Sequence, residues 1–148
     1  MQRSNELEMM DAPVVAPGLL IADLRNLRLL NRYLGNYRNV RLGLARLVGE
    51  QKKFSLLDVG TGSGDLPRAI VQWARRAGLR AQVSGLEANR IAIAQAAEHN
   101  RSFAEISLLC GDAGALPFGP AAFDFVLASQ VLHHFSEERI IYLLRHWS

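Results

Sequence analysis

Three glycines follow an apolar run and an acid near the middle of the chain, in the order Phe54-Ser-Leu-Leu-Asp58-Val-Gly60-Thr-Gly62-Ser-Gly64-Asp65-Leu. Glycines at alternate positions allow the backbone to turn sharply and to approach a ligand closely, because there is no Cβ atom to hold the ligand away. The unpaired N–H groups at the start of a following helix favour negative charge. The segment therefore predicts a turn that holds a nucleotide-like or carboxylate-bearing cofactor.

Polar residues end each of the apolar runs that are typical of buried strands. They are Asp58, Glu87, Asp112 and Ser129, the last followed by Gln130. In open α/β sheets, ligands bind beyond the carboxyl ends of the strands. Glu87 lies 23 residues after Gly64, close to the ~20 residues expected for an acid that binds ribose hydroxyls. Three acids at successive strand ends beside a glycine turn indicate one binding site.

Hydrophobic periodicity predicts the elements that position these residues. Helices are expected over 21–34, 37–48, 66–77 and 89–100, with Asn89 as an N-cap, and a last helix is capped by Ser136. The second helix should place Tyr37, Val40, Leu44, Leu47 and Val48 on one face. Strands are expected over 54–59, 81–87, 106–110 and 123–128. Strands that alternate with helices at this spacing predict an α/β protein with a Rossmann-like, doubly wound parallel sheet.

Two kinds of cofactor compete for the glycine turn. The nicotinamide fingerprint G-x-G-x-x-G/A needs a small residue where this chain has Asp65, and an acid there would repel a pyrophosphate. The pattern Asp58-x-Gly60-x-Gly62-x-Gly64 instead resembles motif I of the class I S-adenosylmethionine-dependent methyltransferases. Their cofactor carries a sulfonium and an ammonium group, which nearby carboxylates attract.

Two further segments carry the same resemblance. Cys110-Gly111-Asp112-Ala113 is similar to motif III of that family, and residues 123–135 are similar to motif IV and its successor. The match is best with the small-molecule branch, which includes the ubiquinone/menaquinone C-methyltransferases and the type 11 group. The resemblance implies cofactor contacts from Asp58, Gly60, Thr61, Gly62, Gly64, Glu87, Ala88, Asp112, Ala113 and Ser129. Glu87 would bind the ribose, and Asp112 the adenine.

The resemblance implies methyl transfer to an oxygen or carbon of a small, apolar acceptor. His133 and His134 are the candidate general bases, although both are equally suited to packing under the cofactor. The Asn/Asp-Pro-Pro-aromatic motif of the nucleic-acid amino methyltransferases is missing after the fourth strand, which argues against a nucleobase acceptor. No set of residues has the spacing of a metal site.

Composition and charge bound the kind of protein, and two alternatives to a methyltransferase stay open. The chain has 148 residues and one cysteine, Cys110, and no apolar run near the ~20 residues of a membrane span. We expect a cytoplasmic protein with Cys110 buried as a small hydrophobe. Residues 23–53 contain eight basic residues and two acids, which predicts a solvated helix face or contact with an anionic surface. A nicotinamide-dependent oxidoreductase and a non-catalytic module docking through these basic helices remain open.

Three segments are expected along the chain: a flexible N-terminus over 1–18, a helical cap over 19–53 and a cofactor-binding domain over 54–148. The family sheet has seven strands, and only four are visible here. The chain is therefore expected to be the N-terminal part of a methyltransferase, without the last three strands. The acceptor and the oligomeric state are not indicated by the sequence.

Overall fold

The computed structural model describes Asn26 and residues 35–129 and 131–147. The predicted flexible segment 1–18 lies outside the described residues, and so does the predicted helix 21–34 except for Asn26, which is helical and exposed. The described helices are α1 (Asn36–Val48), α2 (Asp65–Arg76), α3 (Arg90–Asn100) and α4 (Glu137–Trp147), with a 3-10 turn at Leu132–His134 before α4. The strands are β1 (Lys53–Val59), β2 (Arg80–Glu87), β3 (Ile106–Cys110) and β4 (Phe125–Ala128).

The four strands form one parallel sheet in the order β3-β2-β1-β4. From β1 the chain runs outward through β2 to β3 and then returns to the other side of β1 to form β4. The strand order therefore reverses between β1 and β4, and such a switch point opens a crevice at the carboxyl ends of the strands. The predicted Rossmann-like parallel sheet is confirmed.

Alternate residues of β1 point to opposite sides of the sheet. Phe54 and Leu56 enter a cluster that buries side chains of α1 and α2. Helix α3 meets the start of α2, since Asn100 donates to Gly64 O, and the right-handed crossover of parallel strands places it on the same side. We call this side the three-helix face. Leu57 and Val59 point the other way, where residues of the 111–124 connection and Trp147 of α4 cover them. We call this side the loop face.

Local signals in the sequence explain how the helices begin and end. The Asn89 side chain accepts hydrogen bonds from the N–H groups of Ile91 and Ala92, as expected for an N-cap. Ser136 Oγ likewise accepts from Arg139 N. Gly78 follows α2 with φ +69°, a left-handed conformation that costs glycine little. The predicted caps at Asn89 and Ser136 are therefore present.

Three expectations about single residues or strand limits are corrected. Cys110 is exposed, because β3 is an edge strand among the described residues, and its Sγ lies 3.6 Å from the Ala88 carbonyl oxygen. Leu47 is 65% exposed because it lies outside the stripe of α1 that buries Leu44 and Val48. Strand β4 begins at Phe125 rather than at residue 123, because the side chain of Asp124, and not the backbone, accepts the hydrogen bond from Ser55 N of β1.

Candidate functional site

The glycine turn joins β1 to α2 at the carboxyl end of the sheet. The N–H groups of Gly60 and Thr61 both donate to the Leu86 carbonyl oxygen of β2, at 2.9 and 3.0 Å, and Gly64 N donates to Thr61 O at 2.9 Å. Gly60, Gly62 and Gly64 all have positive φ values, +73°, +54° and +69°. Any other residue type would be strained at these positions. The turn is thus held by the neighbouring strand in one conformation.

Two of the three glycines are also required by packing. A Cβ atom at Gly60 would lie 2.6 Å from Val131 Cγ2, and one at Gly64 would collide with Asn100 Nδ2. The sequence interpretation attributed the glycines to close approach of a ligand. The structure adds a second reason, because the segment after β4 and the end of α3 both press against the turn.

Three carboxylates lie around this turn. Asp58 is buried at the end of β1, and desolvation raises its pKa to about 7. Repulsion from Asp65 and Glu87 contributes to this rise. Proximity to Thr61 lowers it in part, although Thr61 Oγ1 makes no hydrogen bond of acceptable geometry within the described part of the chain. A cationic ligand at the turn would offset the repulsion among these carboxylates and favour the ionised form of Asp58.

Glu87 connects the end of β2 to the glycine turn. Its Oε2 accepts a hydrogen bond from Gly62 N at 3.0 Å, and its Oε1 accepts one from Asn89 N at 2.8 Å. A carboxylate offers about four acceptor positions. Glu87 can therefore hold the turn and still accept two hydroxyl hydrogens from a ligand. The neighbouring Ala88 is exposed.

The remaining predicted cofactor contacts lie at the ends of β3 and β4. Asp112 is exposed, and its Oδ1 accepts from Gly114 N at 2.8 Å, which forms an Asx turn. The carbonyl oxygen of Ala113 accepts from Trp147 Nε1 at 3.0 Å.

Ser129, at the end of β4, is half-buried and accepts a hydrogen bond from Asn36 Nδ2 at 3.1 Å. The structure thus places these residues at the same edge of the sheet as the glycine turn.

His133 and His134 lie in the 3-10 turn that follows Val131. Both are exposed, and their ring centroids are 4.1 Å apart. Because Val131 packs against Gly60, this turn begins beside the site. A role as general base remains a prediction for both histidines.

The structure also brings to the site residues that the sequence interpretation did not assign. Asp65 accepts hydrogen bonds from Tyr37 Oη at 2.5 Å and from Ser63 Oγ at 2.9 Å. The buried Asn100 donates to the carbonyl oxygens of Gly64 and Ala96, at 3.1 and 2.8 Å. Asp65 begins α2 and Asn100 ends α3, but only the tertiary fold brings these two helix ends together at the turn.

Two absences apply to the part of the chain that the structure describes. None of the helices there combines the length and the apolar character that a membrane span requires. Within residues 35–129 and 131–147, no three His, Cys, Asp or Glu side chains are grouped in a way that would hold a metal ion.

A parallel sheet with a glycine turn at its switch point and an acid at the end of β2 defines a Rossmann-like cofactor-binding domain. A family model described as "Methyltransferase domain" matches residues 56–148, which is more than half of the chain. The chain therefore belongs to this methyltransferase family, and its fold is that of the class I S-adenosylmethionine-dependent methyltransferases. No protein of curated function gives a significant match.

Solved structures agree with this fold. A methyltransferase from Aquifex aeolicus has a TM-score of 0.67 at 18% identity, with 91% of this chain and 69% of that chain covered. Human N-acetylserotonin methyltransferase, solved in complex with S-adenosylmethionine, has a TM-score of 0.67 at 19% identity, with 87% and 34% covered. The YcgJ protein from Bacillus subtilis has a TM-score of 0.56 at 24% identity, with 72% and 44% covered. The chain thus spans between about a third and about two thirds of the length of these proteins.

Proposed function

We propose that the site binds S-adenosylmethionine and supports methyl transfer to an oxygen or carbon of a small, apolar molecule. The observation that carries the proposal is the convergence of Asp58, Asp65 and Glu87 on the glycine turn. A sulfonium and an ammonium group would relieve their mutual repulsion, whereas a pyrophosphate would add to it. Membership of the methyltransferase family agrees with this choice and not with the nicotinamide-dependent alternative.

The residues present fit such a cofactor. The Gly60–Gly64 turn, with Asp58 beneath it, would hold the amino-acid portion, and the buried Thr61 hydroxyl offers a polar group there. Glu87, with acceptor capacity to spare, would bind the ribose beside Ala88. Asp112 and Ala113 would border the adenine, and Ser129 would close the opposite wall. When bound, the cofactor supplies a methyl group activated by its sulfonium.

The protein's own contribution to catalysis would be to position and desolvate the acceptor in line with that methyl group. His133 or His134 would remove a proton from an acceptor hydroxyl or acidic carbon. We assign the acceptor to small, apolar molecules because the segment 123–135 is similar to the small-molecule branch of the family. We place the protein in the cytoplasm, and we retain residues 19–53 as a helical cap beside the 54–148 domain.

One observation favours a second function for the basic segment. Arg38, Arg41 and Arg46 are exposed on α1, and Lys52 and Lys53 follow it. An anionic membrane surface would attract this group of cations. Co-sedimentation with vesicles containing phosphatidylserine, repeated over a salt series, tests this contact. Association that weakens as salt rises is expected, and none at low salt would remove the idea.

Calorimetry with S-adenosylhomocysteine and with the reduced nicotinamide nucleotides tests the cofactor directly. S-adenosylhomocysteine retains the adenosine and the amino-acid portion, so it should bind, and the nicotinamide nucleotides should not. Binding of the nicotinamide nucleotides alone would overturn the proposed function.

Glu87→Gln tests the assignment of the ribose contact. Glutamine keeps one acceptor oxygen, yet the two carboxylate oxygens already serve Gly62 N and Asn89 N. The glutamine amide nitrogen would then face another donor, either a ribose hydroxyl or an N–H of the turn. Such a lost hydrogen bond costs about 1–3 kcal/mol of binding free energy. Affinity for S-adenosylhomocysteine should fall roughly ten- to a hundredfold. Exposed Glu98→Gln is the matched control, and equal affinity in the two variants would show that Glu87 does not bind the ligand.

A further inference from the structure

Helix α1 is attached differently at its two ends. Its C-terminal half is anchored by Leu44 and Val48, which are buried on the three-helix face. Its first turn carries two polar side chains that reach far along the sequence. Tyr37 Oη donates to Asp65 Oδ2 at 2.5 Å, and Asn36 Nδ2 donates to Ser129 Oγ at 3.1 Å. The Tyr37 ring also packs on the three-helix face, so the first turn differs from the C-terminal half in the two polar contacts that it adds.

The two partners stand on opposite sides of the switch-point crevice. Asp65 begins α2 directly after the glycine turn of β1, and Ser129 directly follows β4. Strands β1 and β4 are neighbours in the sheet, and the strand order reverses between them. The first turn of α1 thus bridges the crevice in which a doubly wound sheet binds its ligand.

Glycines allow this bridge to open without disturbing the anchor. Gly35 precedes α1 with φ +78°, and Gly43 lies in the middle of the helix. Among the described residues, apart from the chain neighbours and the helix's own backbone, no atom lies within 4 Å of the position that a Cβ would occupy at either glycine. A glycine inside a helix lowers its local stability. The helix is therefore easiest to bend between its anchored half and its first turn.

We propose that Asn36 and Tyr37 form a clasp that closes α1 over the cofactor and controls its release. The clasp is defined by the hydrogen bonds from Tyr37 to Asp65 and from Asn36 to Ser129. Both are positioning residues: Tyr37 acts on the turn through Asp65, and Asn36 acts on the far wall through Ser129. The inference rests on the proposed cofactor binding and adds two side chains that control how fast the cofactor leaves.

The rate of release of S-adenosylhomocysteine from the full chain, measured by rapid displacement, tests the clasp. Tyr37→Phe keeps the ring packed on the three-helix face and removes only the hydroxyl. Release should become about tenfold faster, as expected for losing a hydrogen bond to a charged group. Asn36→Ala should have a smaller effect in the same direction, because its contact is between neutral groups. Exposed Tyr142→Phe on α4 is the matched control and should release the ligand at the wild-type rate.

Hydrogen exchange supplies a readout that a purely structural contact would not reproduce. In the ligand-bound protein, Tyr37→Phe should speed exchange of the amides of residues 39–42, which donate to carbonyl oxygens at the start of α1, and leave the amides around Leu44 and Val48 protected. Equal release rates in wild type and Tyr37→Phe would overturn the clasp while leaving the proposed function intact. Failure of the wild type to bind S-adenosylhomocysteine would instead overturn the proposed function.

Discussion

The three-helix face and the loop face of the sheet differ in how they are covered. On the three-helix face, buried side chains of α1, α2, β1 and β2 form one continuous cluster. On the loop face, the buried centre consists of Leu57, Val59 and Leu86. Its cover is partly exposed and comes mainly from the 111–124 connection, where the rings of Phe118 and Phe123 meet edge to face at 4.9 Å. Regular helices pack more completely than an irregular connection does.

The site depends on the better-packed side. The buried polar side chains of the described residues, Asp58, Thr61, Ser63 and Asn100, all lie in or against the glycine turn. Groups of this kind are costly to bury, so they persist only where surrounding packing holds them in place. The packing of the three-helix face therefore holds the glycine turn in place.

The largest expected effect compares two neighbouring residues of β1. Leu56 and Leu57 are both fully buried but face the three-helix face and the loop face, respectively. Leu56→Ala should cost about 4 kcal/mol, because helices around the cavity relax little, and Leu57→Ala about 2 kcal/mol, because the connection can collapse. Urea unfolding measures both. Equal losses would show that the two faces are packed alike.

A second comparison concerns the charge buried beneath the turn. The folded-state pKa of Asp58, about 7, is above its ordinary value, so the folded state holds a proton that the unfolded state has lost. The free energy of unfolding should therefore fall as pH rises from about 4 to about 7, by on the order of 3 kcal/mol in total. Asp58→Asn should remove this slope. If the free energy of unfolding of the wild type does not change over this range, burial does not raise the pKa of Asp58.

Two exposed carboxyl groups should change the free energy of unfolding in the opposite direction to Asp58, and at lower pH. Hydrogen bonds from Arg75 lower the pKa of Glu105, and hydrogen bonds from Ser55 lower that of Asp124. Their contribution is present above the ordinary pKa and is lost as pH falls through the lowered one. These contributions are lost as pH falls below the ordinary values of 4.5 and 3.8. One titration separates them from the Asp58 effect, because here the free energy of unfolding falls with decreasing pH rather than with increasing pH.

Local signals in the sequence were sufficient for β1, the glycine turn and the Asn89 cap, because each depends on residues close together in the chain. The predictions for Cys110 and Leu47 were wrong because they depend on the tertiary structure. Whether a strand lies at an edge depends on the order of the sheet, and which residues of a helix are buried depends on where its neighbours lie. The contact between Tyr37 and Asp65 likewise joins residues 28 apart in the chain, and no periodicity reports it.

The smallest expected effect separates backbone conformation from packing at the turn. Gly64 and Gly78 have the same φ, +69°, so alanine costs about 1–2 kcal/mol of backbone strain at either position. At Gly78 no non-neighbouring atom of the described part of the chain lies within 4 Å of the added Cβ, whereas at Gly64 the Cβ meets Asn100 Nδ2 and lies 3.1 Å from Ala96 Cβ. Displacing Asn100 would weaken its hydrogen bonds to Gly64 O and Ala96 O. Gly64→Ala should therefore lose about 1–2 kcal/mol more than Gly78→Ala in urea unfolding. Equal losses would mean that α3 moves aside easily, and the three-helix face would then not hold the turn as rigidly as its packing indicates.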